Sequence, residues 1–196
     1  MTWLVVGLGN PGENYSATRH NAGSMVVEAL ARSAGERFRK VRFIPVETAE
    51  ISEGDERLIL ARPLTFMNES GPPVGSLAKR RRVDPSRVVV VHDEIDLPFG
   101  SLRVKLGGST AGHQGLNSVV SGLRTPDFYR VRLGVGRPPG RQDPADFVLE
   151  PFSKKERGEA DVLVEDAADA VRSLVRDGLA VAQDRYNRGG AGGADS

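Results

Sequence analysis

The sequence predicts a single α/β domain built in three layers, α/β/α, around a mixed and partly parallel central sheet. Three observations carry that prediction. Short continuous apolar runs mark buried strands, stretches with helical spacing lie between them, and neither a linker nor an internal repeat divides the 196 residues. Strands interleaved with helices favour this layering. The length gives one domain a proper core and is too short for two comfortable ones.

The elements follow in chain order. Leu4 to Leu8 is apolar throughout, as suits a strand covered on both faces. Helical spacing runs from Met25 to Ala34. Arg37 to Thr48 alternates and reads as an outer or antiparallel strand. Leu58 to Ala61 is a second buried run, followed by helical spacing around Val74 to Arg81, and Val88 to Val91 is a third. Leu102 to Leu106 alternates again, Leu116 to Leu123 is helical, and Val131 to Val135 is a further strand with Gly134 and Gly136 near its end. Leu163, Ala167, Ala170, Val171 and Leu174 fall on one helical stripe. The low-complexity stretch Gly189 to Ser196 is expected to be a disordered tail, leaving residues 1–188 as the domain.

Composition narrows the chemistry. With no cysteine, disulfides, zinc–thiolate sites and thiol nucleophiles are excluded. His20, His92 and His113 are the three histidines and show no His-x-x-x-His spacing, so no metal is expected. No leader precedes the strand-like Trp3 to Leu8, and no apolar stretch approaches the ~20 residues of a membrane span, so a cytoplasmic protein is expected. Net charge is +1, but Lys79 to Arg141 carries 12 basic and 5 acidic residues, while Gln142 to Ser196 carries 7 and 12. The middle of the chain is thus the candidate anion-binding face. The run Lys79-Arg80-Arg81-Arg82 alone proves little, since cations near a helix C-terminus are favoured in any case.

Polar residues gather after each buried run: Gly9-Asn10 after the first, Arg62 to Asn68 after the second, His92-Asp93 after the third. Ligands of open α/β sheets sit beyond the carboxyl ends of the strands. If these strands are parallel neighbours, Asn10, Asn68 and Asp93 share one rim, and His20 adds an imidazole. That set offers a base, a group to orient it and neutral donors for developing negative charge. Each member also has a plain reading as turn former, helix cap, solvated carboxylate or structural histidine; convergence is what favours catalysis.

Two glycine motifs mislead. Gly7-Leu8-Gly9-Asn10-Pro11-Gly12 matches G-x-G-x-x-G, but polar residues from Glu13 intervene before any helical rhythm, and Ser33 stands where an acidic residue would be sought. No nucleotide cofactor is expected. Gly107 to Gly112 has P-loop glycine spacing, yet His113-Gln114 replaces the Lys-Ser/Thr pair.

Taken together, the motifs resemble the bacterial-type peptidyl-tRNA hydrolase family. The matching segments are Val6 to Gly12, Tyr15 with Thr18 to Gly23, Thr65 to Gly71, His92 to Pro98, Gly112 to Leu116, Phe128 to Gly136 and Phe147 to Leu149. They cover almost the whole chain except the glycine-rich end. The resemblance implies hydrolysis of the ester between the peptide C-terminus and the tRNA 3′ end, without metal or cofactor and by a monomer. It implies that His20 takes the proton from water, that Asp93 keeps its imidazole oriented and basic, and that Asn10 senses a blocked amino group. Asn68, Gln114 and His113 would hold the peptidyl and 3′-terminal part, with Tyr15 and Phe66 as aromatic contacts. Arg103, Lys105 and Arg132, with Arg130 as a further candidate, would grip tRNA. Gln114 stands where the family usually has Asn, and Asn117 where a basic residue is common. A binding protein without hydrolysis, as in a related plant branch, would be expected to lack His20 or Asp93; both are present.

Overall fold

The computed structural model describes residues 1–187; the stretch expected to form a tail lies outside them. Seven strands form one sheet: β1 (Thr2–Gly7), β2 (Arg39–Lys40), β3 (Val46–Glu53), β4 (Glu56–Pro63), β5 (Val88–Glu94), β6 (Leu102–Leu106) and β7 (Tyr129–Gly134). Their order is β2-β3-β4-β1-β5-β7-β6. The central four, β4, β1, β5 and β7, are parallel; β3 and β6 flank them antiparallel, and β2 pairs antiparallel with β3.

Helices cover both faces, as expected. On one side α1 (Ala22–Ser33), α5 (Arg157–Asp177) and α6 (Leu179–Tyr186) enclose Val5, Leu58, Leu60, Val89 and Val91. On the other, α2 (Gly71–Arg81) and α3 (Gln114–Leu123) enclose Leu4, Val6, Ile59, Val88 and Val90. Successive residues of a strand point to opposite faces, so the stretch of a strand that feeds both cores is continuously apolar, as in Val88 to Val91. Each such Leu or Val contributes ~1.5–3 kcal/mol by burial.

One close approach sets the later chemistry. A Cβ at Gly23 would lie 2.0 Å from the Val91 carbonyl oxygen, and one at Gly7 would lie 2.3 Å from the Gly23 carbonyl. The first turn of α1 therefore sits directly on β1 and β5, carrying the preceding loop over the end of β5. The first glycine of the apparent dinucleotide fingerprint serves this packing, and α1 begins only at Ala22.

The expected strand from Arg37 to Thr48 is two strands with a turn between them. Phe43 takes φ +67° within that turn, a conformation that nothing in its residue type signals. Two short helices escape the periodicity reading: α4 (Pro144–Val148), five residues long, and α6, which follows a break at Gly178 with φ +89°.

Candidate active site

β1, β4 and β5 are parallel neighbours, so the segments after them share one rim. Asn10, His20, Phe66, Asn68, Asp93 and Gln114 all line a cleft of about 590 Å³ there. Asn10 is more than a turn former. Its Oδ1 accepts from the Met67 backbone N–H at 2.8 Å, which fixes the amide orientation; its Nδ2 has no partner among the described residues. Asn68 lies in the 3₁₀ turn Met67–Glu69 rather than at the start of α2.

His20 belongs to the 3₁₀ turn Arg19–Asn21 just before α1. Its Nδ1 lies 2.8 Å from Asp93 Oδ2, and His113 Nε2 lies 2.8 Å from Asp93 Oδ1. Both carboxylate oxygens are thus engaged by imidazoles, and Asp93 is only 2% exposed. With Nδ1–H donating to Asp93, Nε2 of His20 keeps its lone pair as a base. His113 Nδ1 accepts the Leu116 N–H at 3.3 Å, capping α3. That acceptor role assigns the His113 proton to Nε2, facing Asp93.

Burial by itself would depress the His20 pKa, but the charge of Asp93 and its hydrogen bond outweigh burial and raise it above 6.5. Burial would raise Asp93, yet His20 and His113 hold its carboxyl well below the usual carboxylate range. The neighbouring His92 is pushed down to about 3, by burial first and His113 second, and stays neutral. His20, Asp93 and His113 also have the composition of a metal site. A cation there would have to displace both imidazole–carboxylate bonds.

The remaining expected contacts fall in two places. Tyr15 packs edge-to-face on Phe66 with ring centroids 6.3 Å apart, beside the cleft. Gln114 is the first residue of α3 and lines the cleft without a protein hydrogen-bond partner among the described residues. The cations lie outside the cleft lining, on the edge strand β6 and its neighbour β7. Register places Arg103 opposite Arg132 and Lys105 opposite Arg130, so all four share one sheet face. Like charges directly opposite each other cost stability, so this array is costly without an anionic partner. Arg130 is the exception: it is fully buried, donates to the Ser109 and Pro126 carbonyls, and ties down the glycine loop. Arg132 is partly offset by Glu94 at 2.8 Å. Lys105 is held below its ordinary pKa by burial, then by Arg132 and Arg130.

Three features escaped the sequence reading. Asn21 clamps the Asn10 backbone. Arg19, beside His20, is 5% exposed, stacks 3.9 Å over Phe147 and donates to the Phe147 carbonyl at 3.2 Å and to Glu156 at 2.9 Å. It thereby holds α4 against the His20 turn, and Pro144, Ala145, Val148 and Leu149 form a wall of the cleft. The adjacency of Arg19 to His20 was the available signal.

A buried carboxylate bonded to an imidazole, with amides converging beside it on the carboxyl rim of a mixed α/β sheet, is an arrangement suited to general-base hydrolysis. Residues 4–192 match the family model described as peptidyl-tRNA hydrolase. A peptidyl-tRNA hydrolase of Frankia alni is 54% identical over 185 residues, 94% of this chain and 93% of the relative. One of Mycobacterium tuberculosis is 50% identical over 184 residues, 94% and 96% of the two chains. The crystal structure of peptidyl-tRNA hydrolase from Acinetobacter baumannii superposes with a TM-score of 0.87 at 33% identity, covering 94% of this chain and 93% of that one. The chain belongs to the peptidyl-tRNA hydrolase family.

Proposed function

We propose that this chain hydrolyses the ester between the C-terminal carboxyl of a peptide and the tRNA 3′ end, with His20 as general base. The observation that carries the assignment is the 2.8 Å bond from His20 Nδ1 to the buried Asp93 carboxylate, which directs the basic Nε2 outward. Water attacks the ester carbonyl as Nε2 takes its proton. The tetrahedral intermediate then collapses, the ribose oxygen leaves with that proton, and peptide acid and free tRNA result. An ester needs less leaving-group help than an amide, so a His–Asp pair without a covalent nucleophile is chemically sufficient.

Asn10, its Oδ1 held by the Met67 N–H, supports recognition of a blocked amino group through its Nδ2, which has no partner among the described residues. Asn68, Gln114 and His113 hold the peptidyl and 3′-terminal part, with Tyr15 and Phe66 as an aromatic platform. Arg103, Lys105 and Arg132 contact phosphates. Among the described residues no helix is long and apolar enough to cross a membrane; we place the enzyme in the cytoplasm as a monomer. The test is release of N-acyl amino acid from N-acyl-aminoacyl-tRNA. Release from the blocked substrate with the unblocked one spared supports the assignment, and no release overturns it.

A further inference from the structure

A second basic surface lies at the opposite edge of the sheet from Arg103 and Lys105. Cross-strand register puts Arg39 opposite Thr48, on the face where Val46 and Ile44 pack toward α2. Arg42 follows in the turn after β2, and Arg80 of α2 donates to the Arg42 carbonyl at 2.7 Å, joining helix and turn. Lys79 precedes Arg80, and Arg82 follows two positions on at the end of the helix. All five cations are exposed, and none forms an ion pair among the described residues. Glu50, the acid on this face, is taken up by Arg57 and Arg81.

Phe43 stands among them, 84% exposed, with the Arg42 guanidinium 4.6 Å over its ring. Its φ of +67° is strained for a bulky side chain, and the strain holds the ring out from the core that Ile44 and Val46 enter. An exposed aromatic ring beside unpaired guanidinium groups is the composition that grips single-stranded or unstacked nucleic acid.

Two observations relate this edge to the catalytic cleft. A groove of about 900 Å³ runs from Phe43, Ile44 and Pro45 to Asn68 and Gln114, which also line the cleft. The two edges, β2 and β6, are six strand spacings apart, roughly 29 Å at ~4.8 Å each. The cations at β6 and β7 therefore hold a different stretch of the ligand from the one at β2.

We propose that Arg39, Arg42, Arg80 and Phe43 form a second contact for the tRNA of the substrate, engaging phosphates and an exposed base outside the stretch held at β6 and β7. The inference rests on peptidyl-tRNA being the substrate. An anionic membrane is the competing partner for such a patch; continuity with the cleft through the groove favours RNA.

The experiment measures binding of deacylated tRNA against salt for the full chain and for Arg42→Ala, Arg80→Ala, Arg80→Lys and Phe43→Ala. Each Ala replacement of an arginine should lower the log–log salt slope by roughly 0.7–0.9. Arg80→Lys should keep the slope, which separates charge from turn geometry. Phe43→Ala should weaken binding severalfold with the slope unchanged. An N-acyl-aminoacyl oligonucleotide carrying only the last few nucleotides should be hydrolysed equally by parent and variants; failure of the parent on it would instead strike the hydrolase reading. An unchanged salt slope in both Arg42→Ala and Arg80→Ala overturns the proposal. So does a loss confined to vesicles of anionic phospholipid with tRNA binding intact.

Discussion

The side-chain amide of Asn21 spans both backbone polar groups of Asn10, accepting from its N–H and donating to its carbonyl at 2.9 Å each. Asn21 is buried, at 4% exposure, so neither bond is readily replaced by water. The same Asn10 holds the Met67 amide, so one buried side chain orders the β1 and β4 ends of the rim.

Asn21→Ala should therefore cost ~1–3 kcal/mol of stability from unmet backbone groups. It should also lower kcat/KM for the blocked substrate by about tenfold, which corresponds to ~1.4 kcal/mol. Denaturant unfolding and steady-state kinetics on the same preparation check both. Lost stability with unchanged kinetics would make Asn21 a structural residue only.

The Asp93–His20 bond makes a prediction about pH. In the proposed mechanism neutral His20 is the active form, and Asp93 raises its pKa against the opposing effect of burial. Activity should fall as pH drops through a midpoint above 6.5. In Asp93→Asn the raising charge is gone while burial remains, so the acid limb should move to lower pH and the plateau rate should drop. The loss should be smaller than for His20→Ala and far from additive with it. A kcat/KM profile whose acid limb stays in place would separate the two residues.

The rim was legible because Leu4–Leu8, Leu58–Ala61 and Val88–Val91 are continuous apolar runs, which fixes their burial and suggests their parallel pairing. Asn10, Asn68 and Asp93 then follow from position alone. What escaped depends on contacts between distant segments. The Asn21–Asn10 clamp and the Arg19 anchor on Phe147 join residues that local patterns do not relate. The Arg37–Thr48 alternation concealed a turn because its positive-φ residue is Phe43, not glycine or asparagine. Arg130 looked like Arg132 in sequence, and only the fold distinguishes a fully buried guanidinium from an accessible one.

Gln114 carries the same amide as Asn on a stem one methylene longer. It follows Ala111 at φ +48° and Gly112 at φ +79°, a loop able to set the amide back. Gln114→Ala should weaken use of peptidyl substrates by ~1–3 kcal/mol, with plain tRNA binding unaffected. Parent-like kinetics with peptidyl substrates would remove position 114 from the binding set.

For the paired cations at β6 and β7, Ala replacement of Arg103 or Lys105 should raise KM and lower the salt slope of tRNA binding by roughly 0.7–0.9. Arg132, partly offset by Glu94, should give the smallest change. Titrations of tRNA at several salt concentrations decide this, and an unchanged slope excludes the residue concerned.

The central claim is that His20 supplies catalysis rather than binding. The direct measurement is the single-turnover rate of N-acyl-aminoacyl-tRNA hydrolysis by His20→Ala, taken with the tRNA dissociation constant of the same folded variant. The rate should fall by at least the ~10²–10⁴-fold of a lost general base, at nearly unchanged tRNA affinity. A near-normal rate, or a loss traced entirely to weaker tRNA binding, would contradict it.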